Sequence, residues 1–149
     1  MKDKKNKKNL VSVIIANYNN GKYVERSINS ILNQTYKNFK IIVVDDNSSD
    51  NSINVIKKYN KKIKLIQNKK KSYIGGYDQI NSYYLGYLKA DGNVICFLDS
   101  DDFFSKNKLL NVVNFLKKNK STNLLFDKPI IYFNKKKHHK SNQKYRSTM

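Results

Sequence analysis

The 149-residue chain has one cysteine, one proline, no tryptophan and few acids. The lone Cys96 cannot build a disulfide framework within the chain, which fits a reducing compartment. It sits inside an apolar run, so an inert buried thiol suits it better than a nucleophile's role. Long hydrophobic runs are also missing. The first one, residues 10–16, is too short for a spanning helix, and no convincing cleavage site follows it. The chain therefore reads as soluble and cytoplasmic, with its basic ends free to touch a membrane surface.

Acids number 11 against 30 Lys and Arg, a formal net charge of +19. Such an excess commonly goes with nucleic acid or an anionic membrane surface. Two features weaken that reading here. Lys, Asn, Ile and Tyr make up roughly half of the chain, and all four have AT-rich codons, so lysine can be inflated without functional pressure. Much of the base is also carried by two tails, residues 1–9 and 135–149, read as disordered arms. The aromatic and basic interleaving of a single-strand binding groove is lacking, so no specific nucleic-acid partner is expected.

What is present is an alternation of short apolar runs with amphipathic stretches. Residues 10–16 are β-branched and almost wholly apolar, as a strand buried on both faces should be, and Asn17-Tyr18-Asn19-Asn20-Gly21 ends it in a turn. Val24, Ile28, Ile31 and Leu32 recur at helical spacing within residues 22–34. A second strand over 39–44 runs into Asp45-Asp46-Asn47-Ser48-Ser49-Asp50, where Ser48 or Ser49 would cap a helix using Ile53, Ile56 and Tyr59. A third strand covers 63–66. A lysine-rich loop and Gly75-Gly76 lead to a helix over 77–89, with Ile80, Tyr84, Tyr87 and Leu88 on its apolar side and a glycine stop at Gly92. The run from Val94 to Leu98 is a fourth strand. A helix over 106–118 follows, built on Leu109, Val112, Val113 and Leu116, with Ser105 as its cap. Leu124 to Phe126 and Ile130 to Phe133 are candidates for two further strands split by Pro129. There is no internal repeat and no linker that divides the core, which gives one domain over residues 10–134.

The fourth strand empties into Asp99-Ser100-Asp101-Asp102. Three carboxylates in four residues repel one another, and need either a cation or open water. A hard divalent ion would supply the first, and a solvated acidic turn would be the second. Strands alternating with helices argue for an α/β fold with a parallel sheet and helices on both faces. Right-handed crossovers then bring the strand carboxyl ends to one edge, where such sheets bind ligands. Ala16 to Tyr18, Asp45-Asp46, and Asp99 to Asp102 become neighbours.

Those stretches resemble a known family. The run from Val11 to Asn19, the segment Ser30-Ile31-Leu32-Asn33-Gln34-Thr35-Tyr36, the run from Ile41 to Asp50 and Phe97-Leu98-Asp99-Ser100-Asp101-Asp102 are similar, in order and spacing, to the N-terminal, nucleotide-sugar-binding part of family 2 glycosyltransferases. The resemblance covers about residues 10–118. It implies the GT-A (Rossmann-like) fold, truncated here after the helix that follows the DxD segment. It implies a nucleotide-diphosphate sugar donor, a UDP-sugar favoured, and a Mn2+ or Mg2+ ion. Ala16, Asn17 and Tyr18 would contact the base, with Tyr18 packing on it. Asp46 would accept a hydrogen bond from the base and Asp45 would support that loop. Asp99 and Ser100 would lie by the ribose and the metal, and Asp101 would bind the metal with Asp99. The acceptor, whether glycan, lipid-linked or protein, is open, and so is the general base of an inverting transfer.

The chain departs from the family pattern in two places. Where the family usually has an Arg-Asn pair before a glycine, this chain has Tyr83 and Tyr84, which leaves Lys69, Lys70 or Lys71 to meet the diphosphate. The acceptor half of the family follows the DxD helix, yet only about 30 residues follow it here, and Asp127 is the one acid among them. His138 and His139 lie in the lysine-rich tail, where solvation suits them better than metal binding. A non-catalytic donor-binding module, completed by a partner chain, is thus the alternative to an enzyme. A basic nucleic-acid or membrane-surface binder is the third reading.

Overall fold

The computed structural model describes residues 9–69 and 78–126, and the backbone of 131–133 and 136–138. The chain divides into two compact units, residues 1–118 and residues 119–149.

In the first unit, four strands alternate with four helices: β1 (Val11–Asn17), α1 (Val24–Leu32), β2 (Phe39–Asp45), α2 (Ser52–Lys57), β3 (Ile63–Gln67), α3 (Asp78–Leu88), β4 (Val94–Asp99) and α4 (Lys108–Lys118). The sheet is all-parallel in the order β3-β2-β1-β4. The central strand β1 is buried at every residue, as expected for a strand covered on both faces. Its Val11, Val13 and Ile15 pack with Val24, Ile28 and Ile31 of α1, Val55 and Ile56 of α2 and Leu109 and Val113 of α4. Its Ile14 faces the other way, with Ile42 and Val44, toward Tyr83 and Leu85 of α3. Period-two alternation thus divides one apolar run between two layers.

The sequence expectations need correction at several points. The apolar run of β4 suits a buried strand, but β4 lies at an end of the described sheet and leaves Phe97 51% exposed. Neither Ser48 nor Ser49 caps α2. Its flanking residue is Asn51, and Asp50 accepts the Ser52 N–H at 2.9 Å while Ser48 is drawn to Asp45. Helix α3 turns its other side to the sheet. Ile80, Tyr84, Tyr87 and Leu88 are exposed, whereas Ser82 and Gly86 are buried. The reason is close approach. A Cβ on Gly86 would stand 2.3 Å from Ile14 Cγ2, so small residues set the contact and the large ones are left outside. Gly92 likewise serves proximity, since its Cβ would meet the Leu10 carbonyl oxygen at 2.5 Å, and its N–H donates to Ser12 Oγ at 2.9 Å. At the start of α4, the Leu109 N–H goes to Gln34 Oε1 at 3.0 Å.

In the second unit, residues 124–126 form no strand. Strand β5 (Ile131–Phe133) pairs antiparallel with β6 (Lys136–His138), which falls inside the segment expected to be a disordered tail. The basic arm up to residue 8, Lys70, Lys71, Gly75-Gly76, Asp127 and His139 lie outside the described residues. Among the described residues, no helix is long and apolar enough to cross a membrane.

Candidate functional site

The carboxyl ends of β1, β2 and β4 are brought level by register. Asn17 is paired with Asp45, and Ala16 with Asp99. Backbone bonds carry the alignment past the strands: Asp46 N–H to the Asn17 carbonyl (2.9 Å) and Ser100 N–H to the Ala16 carbonyl (3.2 Å). Two asparagines then turn the chain. Asn19 and Asn47 have φ of 50° and 59°, the left-handed region that asparagine tolerates better than most residues. The two turns interlock, because the Asn19 N–H donates to Ser48 Oγ (2.9 Å) and Asn19 Oδ1 accepts the Ser49 N–H (2.8 Å).

Behind these turns lies Asp45, 1% exposed. Its carboxylate accepts from Asn17 Nδ2 (2.7 Å), the Ser48 N–H (3.0 Å) and Ser48 Oγ (2.6 Å). Asp45 therefore stands outside the cavity wall and ties the first loop to the second. In front lies a cavity of about 350 Å³, lined by Ala16, Asn17, Tyr18 and Asn20 from the β1 end, Asp46 from the β2 end, and Asp99, Ser100 and Asp101 from the β4 end. Asp78, Gln79 and Ser82 of α3 complete it. Tyr18 is 59% exposed at the rim. Ser100 is buried, and its Oγ accepts from Asn20 Nδ2 at 2.8 Å.

Charge in this cavity is one-sided. Burial pushes the Asp46 carboxyl above its usual range, with Asp78 and Asp45 adding to the effect and the Asn68 amide, donating at 2.6 Å, opposing it. Burial likewise raises Asp102, helped by Asp101 and Asp99 and opposed by Arg26. The Arg26 guanidinium donates to the Asp101 carbonyl and lies 4.8 Å from the centre of the Phe103 ring. Lys69, read as a candidate diphosphate contact, is exposed and does not line the cavity. Among the described residues, no three Asp, Glu, His or Cys side chains converge as a preformed metal cage. Among the described residues, two buried side-chain oxygens lack a partner, Asn17 Oδ1 and Asp78 Oδ1, and both belong to cavity residues. Buried polar atoms are normally satisfied, so these acceptors are free to meet a donor brought by a ligand.

The sequence reading missed Asn20, Asp78, Gln79 and Ser82. A signal for the last three existed in their helical spacing, since Asp78 and Ser82 stand at i and i+4 at the start of α3. It was hidden by assigning the large apolar residues to the inner face. Burial of the Cys96 thiol pushes it up to about 11, which agrees with an inert side chain.

Comparison with known proteins places this geometry in context. The family described as Glycosyl transferase family 2 matches residues 12–148. The poly(ribitol-phosphate) beta-N-acetylglucosaminyltransferase TarP of Staphylococcus aureus is 40% identical over 115 residues, 74% of this chain and 34% of TarP. The crystal structure of S. aureus TarS 1-349 in complex with UDP-GlcNAc superposes with a TM-score of 0.65 at 30% identity, over 74% of this chain and 32% of that one. The mannosyltransferase PcManGT from Pyrobaculum calidifontis, in complex with GDP-Man and Mn2+, shares the fold, with a TM-score of 0.62 at 22% identity over 72% and 32% of the two chains. The chain thus spans about a third of the length of these relatives.

Proposed function

The chain belongs to glycosyl transferase family 2 and has the α/β core of the GT-A fold, and from that we propose that its cavity binds a UDP-type nucleotide-diphosphate sugar for transfer to an acceptor hydroxyl. One observation carries the reading: three strand ends, Asn17 to Tyr18, Asp46, and Asp99 to Asp101, line one cavity that holds two buried acceptors without a partner among the described residues. A base edge offers N–H donors to such acceptors, and an exposed Tyr18 ring offers it a stacking face. Likeness to TarS, solved with UDP-GlcNAc, supports a uridine nucleotide.

Asp99 and Asp101 would hold a manganese or magnesium ion. Their oxygens suit hard cations, which bind one or two protein carboxylates and complete their shell with substrate phosphates and water. Two carboxylates in the wall without a preformed cage fit that habit. Bound there, the cation would neutralise charge growing on the departing diphosphate. The protein's own part is to place the donor. Tyr18 packs on the base, Asn17 and Asp46 accept from it, and Asp45 holds the Asn17 and Ser48 loops in register.

Calorimetry with manganese and UDP, UDP-GlcNAc or GDP tests this. Uridine nucleotides should bind in a metal-dependent manner, and Asp101→Asn should lose the manganese dependence while unfolding at the wild-type temperature. Absence of binding by any nucleoside diphosphate, with or without metal, would refute the reading. Binding without transfer in a parallel sugar-transfer assay would instead identify a donor-binding module.

A further inference from the structure

Helix α3 carries a second arrangement at the cavity's edge. The Tyr83 hydroxyl donates to Asp99 Oδ1, and Gln79 Nε2 donates to the same oxygen at 2.6 Å. No described residue engages Asp99 Oδ2, and Asp99 lines the cavity. Gln79 and Tyr83 stand at i and i+4 and so share one helix face. That face is pressed toward the sheet by the Gly86 contact on Ile14, one turn further on. The Tyr83 ring is itself held, lying 4.8 Å from the Phe97 ring at an interplanar angle of 60°. Phe97 and Asp99 are two residues apart on β4 and project from the same side of the sheet. One strand therefore supplies both the carboxylate and the ring that steadies its hydroxyl donor.

We infer that Tyr83, with Gln79, is the positioning residue for Asp99, pinning one carboxylate oxygen so that the other is presented to the diphosphate end of the donor. This rests on the proposed nucleotide-sugar site. The physical case is one of prior ordering. An unrestrained aspartate samples three χ1 wells and a broad χ2, and binding must freeze them. Two donors on one oxygen remove that freedom before ligand arrives. Both donors are neutral, so the clamp fixes Asp99 without cancelling its charge, which a cationic partner at this position would have done. The carboxylate stays available to a cation.

The test pairs affinity with a spectroscopic signature. In manganese calorimetry with UDP, Tyr83→Phe should bind roughly three- to tenfold more weakly than wild type, the loss expected when one side chain must be ordered on binding. Placed on Asp99→Asn, the same substitution should change affinity by less than twofold, because the clamp acts only through that carboxylate. A general packing defect would weaken both backgrounds alike and overturn the inference. So would a Tyr83→Phe variant that binds as tightly as wild type while nucleotide binding itself persists. In the ligand-free protein, proton NMR should show a downfield tyrosine hydroxyl signal that Tyr83→Phe removes and Asp99→Asn shifts. If wild type binds no nucleotide, the proposed function falls, and the clamp is judged on that signal alone, its absence overturning it.

Discussion

Replacing Gln34 by methionine keeps the side chain's volume and removes every hydrogen bond it makes. Gln34 is 0% exposed and joins three segments. Its Nε2 donates to the Ser105 carbonyl (2.7 Å) and the Ser30 carbonyl (3.0 Å), and its Oε1 accepts the Leu109 N–H (3.0 Å). The Ser30 carbonyl sits in the last turn of α1 and can find water. The Ser105 carbonyl keeps the Lys108 N–H at 3.0 Å, whereas the buried Leu109 N–H would be left without its protein partner. An orphaned buried group of this kind costs about 1–3 kcal/mol. That is a large share of the roughly 5–15 kcal/mol that holds a domain together. Urea denaturation followed by far-UV circular dichroism should show a lower midpoint at unchanged slope. A loss below about 1 kcal/mol would refute the reasoning, since it would mean that water or relaxation satisfies the Leu109 N–H. The effect should also reach the acidic loop, because Gln34 and Ser30 anchor Ser105 and Phe104 just beyond Asp102.

Gly86→Ala should destabilise by about 1–3 kcal/mol, as overpacked cores do, and should weaken nucleotide binding by shifting Tyr83 off Asp99; thermal melts and calorimetry would read the two effects. A melt no lower than wild type would show that Ile14 yields without strain. Asp46→Asn should raise stability at neutral pH. The folded-state carboxyl lies above its ordinary value, so the ionised form is penalised above that raised pKa, and the penalty fades as pH falls through it toward 3.8. The gain should therefore shrink on acidification, and a gain that grew toward low pH would contradict the desolvation account.

The order of strands and helices could be read from the sequence because β1 and the last five residues of β2 are buried and α1 and α4 are amphipathic, so burial wrote itself into residue type. The acidic strand ends were legible for the same reason: carboxylates directly after buried strands stand out. Helix α3 was not. Its contact with Ile14 needs small residues, and periodicity of large apolar side chains pointed to the wrong face. Ser48 was misread because a serine before a helix usually caps it, while here the buried Asp45 carboxylate competes for its hydroxyl and wins. The role of Tyr83 was beyond sequence reasoning, since a tyrosine replacing a cation looks like a loss until its hydroxyl is seen on Asp99.

The pairing of Asn17 with Asp45 and of Ala16 with Asp99 has a consequence for which insertions and deletions the chain can absorb. The address of each cavity residue is written in ladder rungs. One residue added within β4 would send Asp99 to the opposite face and bring its neighbour to the rung beside Ala16. A residue added where α2 passes toward β3, in the turn over residues 58–62, changes only the closure of a loop, and each doubling of loop length costs roughly 0.6 kcal/mol. Length variation among related chains should therefore gather between the ladders, and the distance in sequence from Val94 to Asp99 should hold.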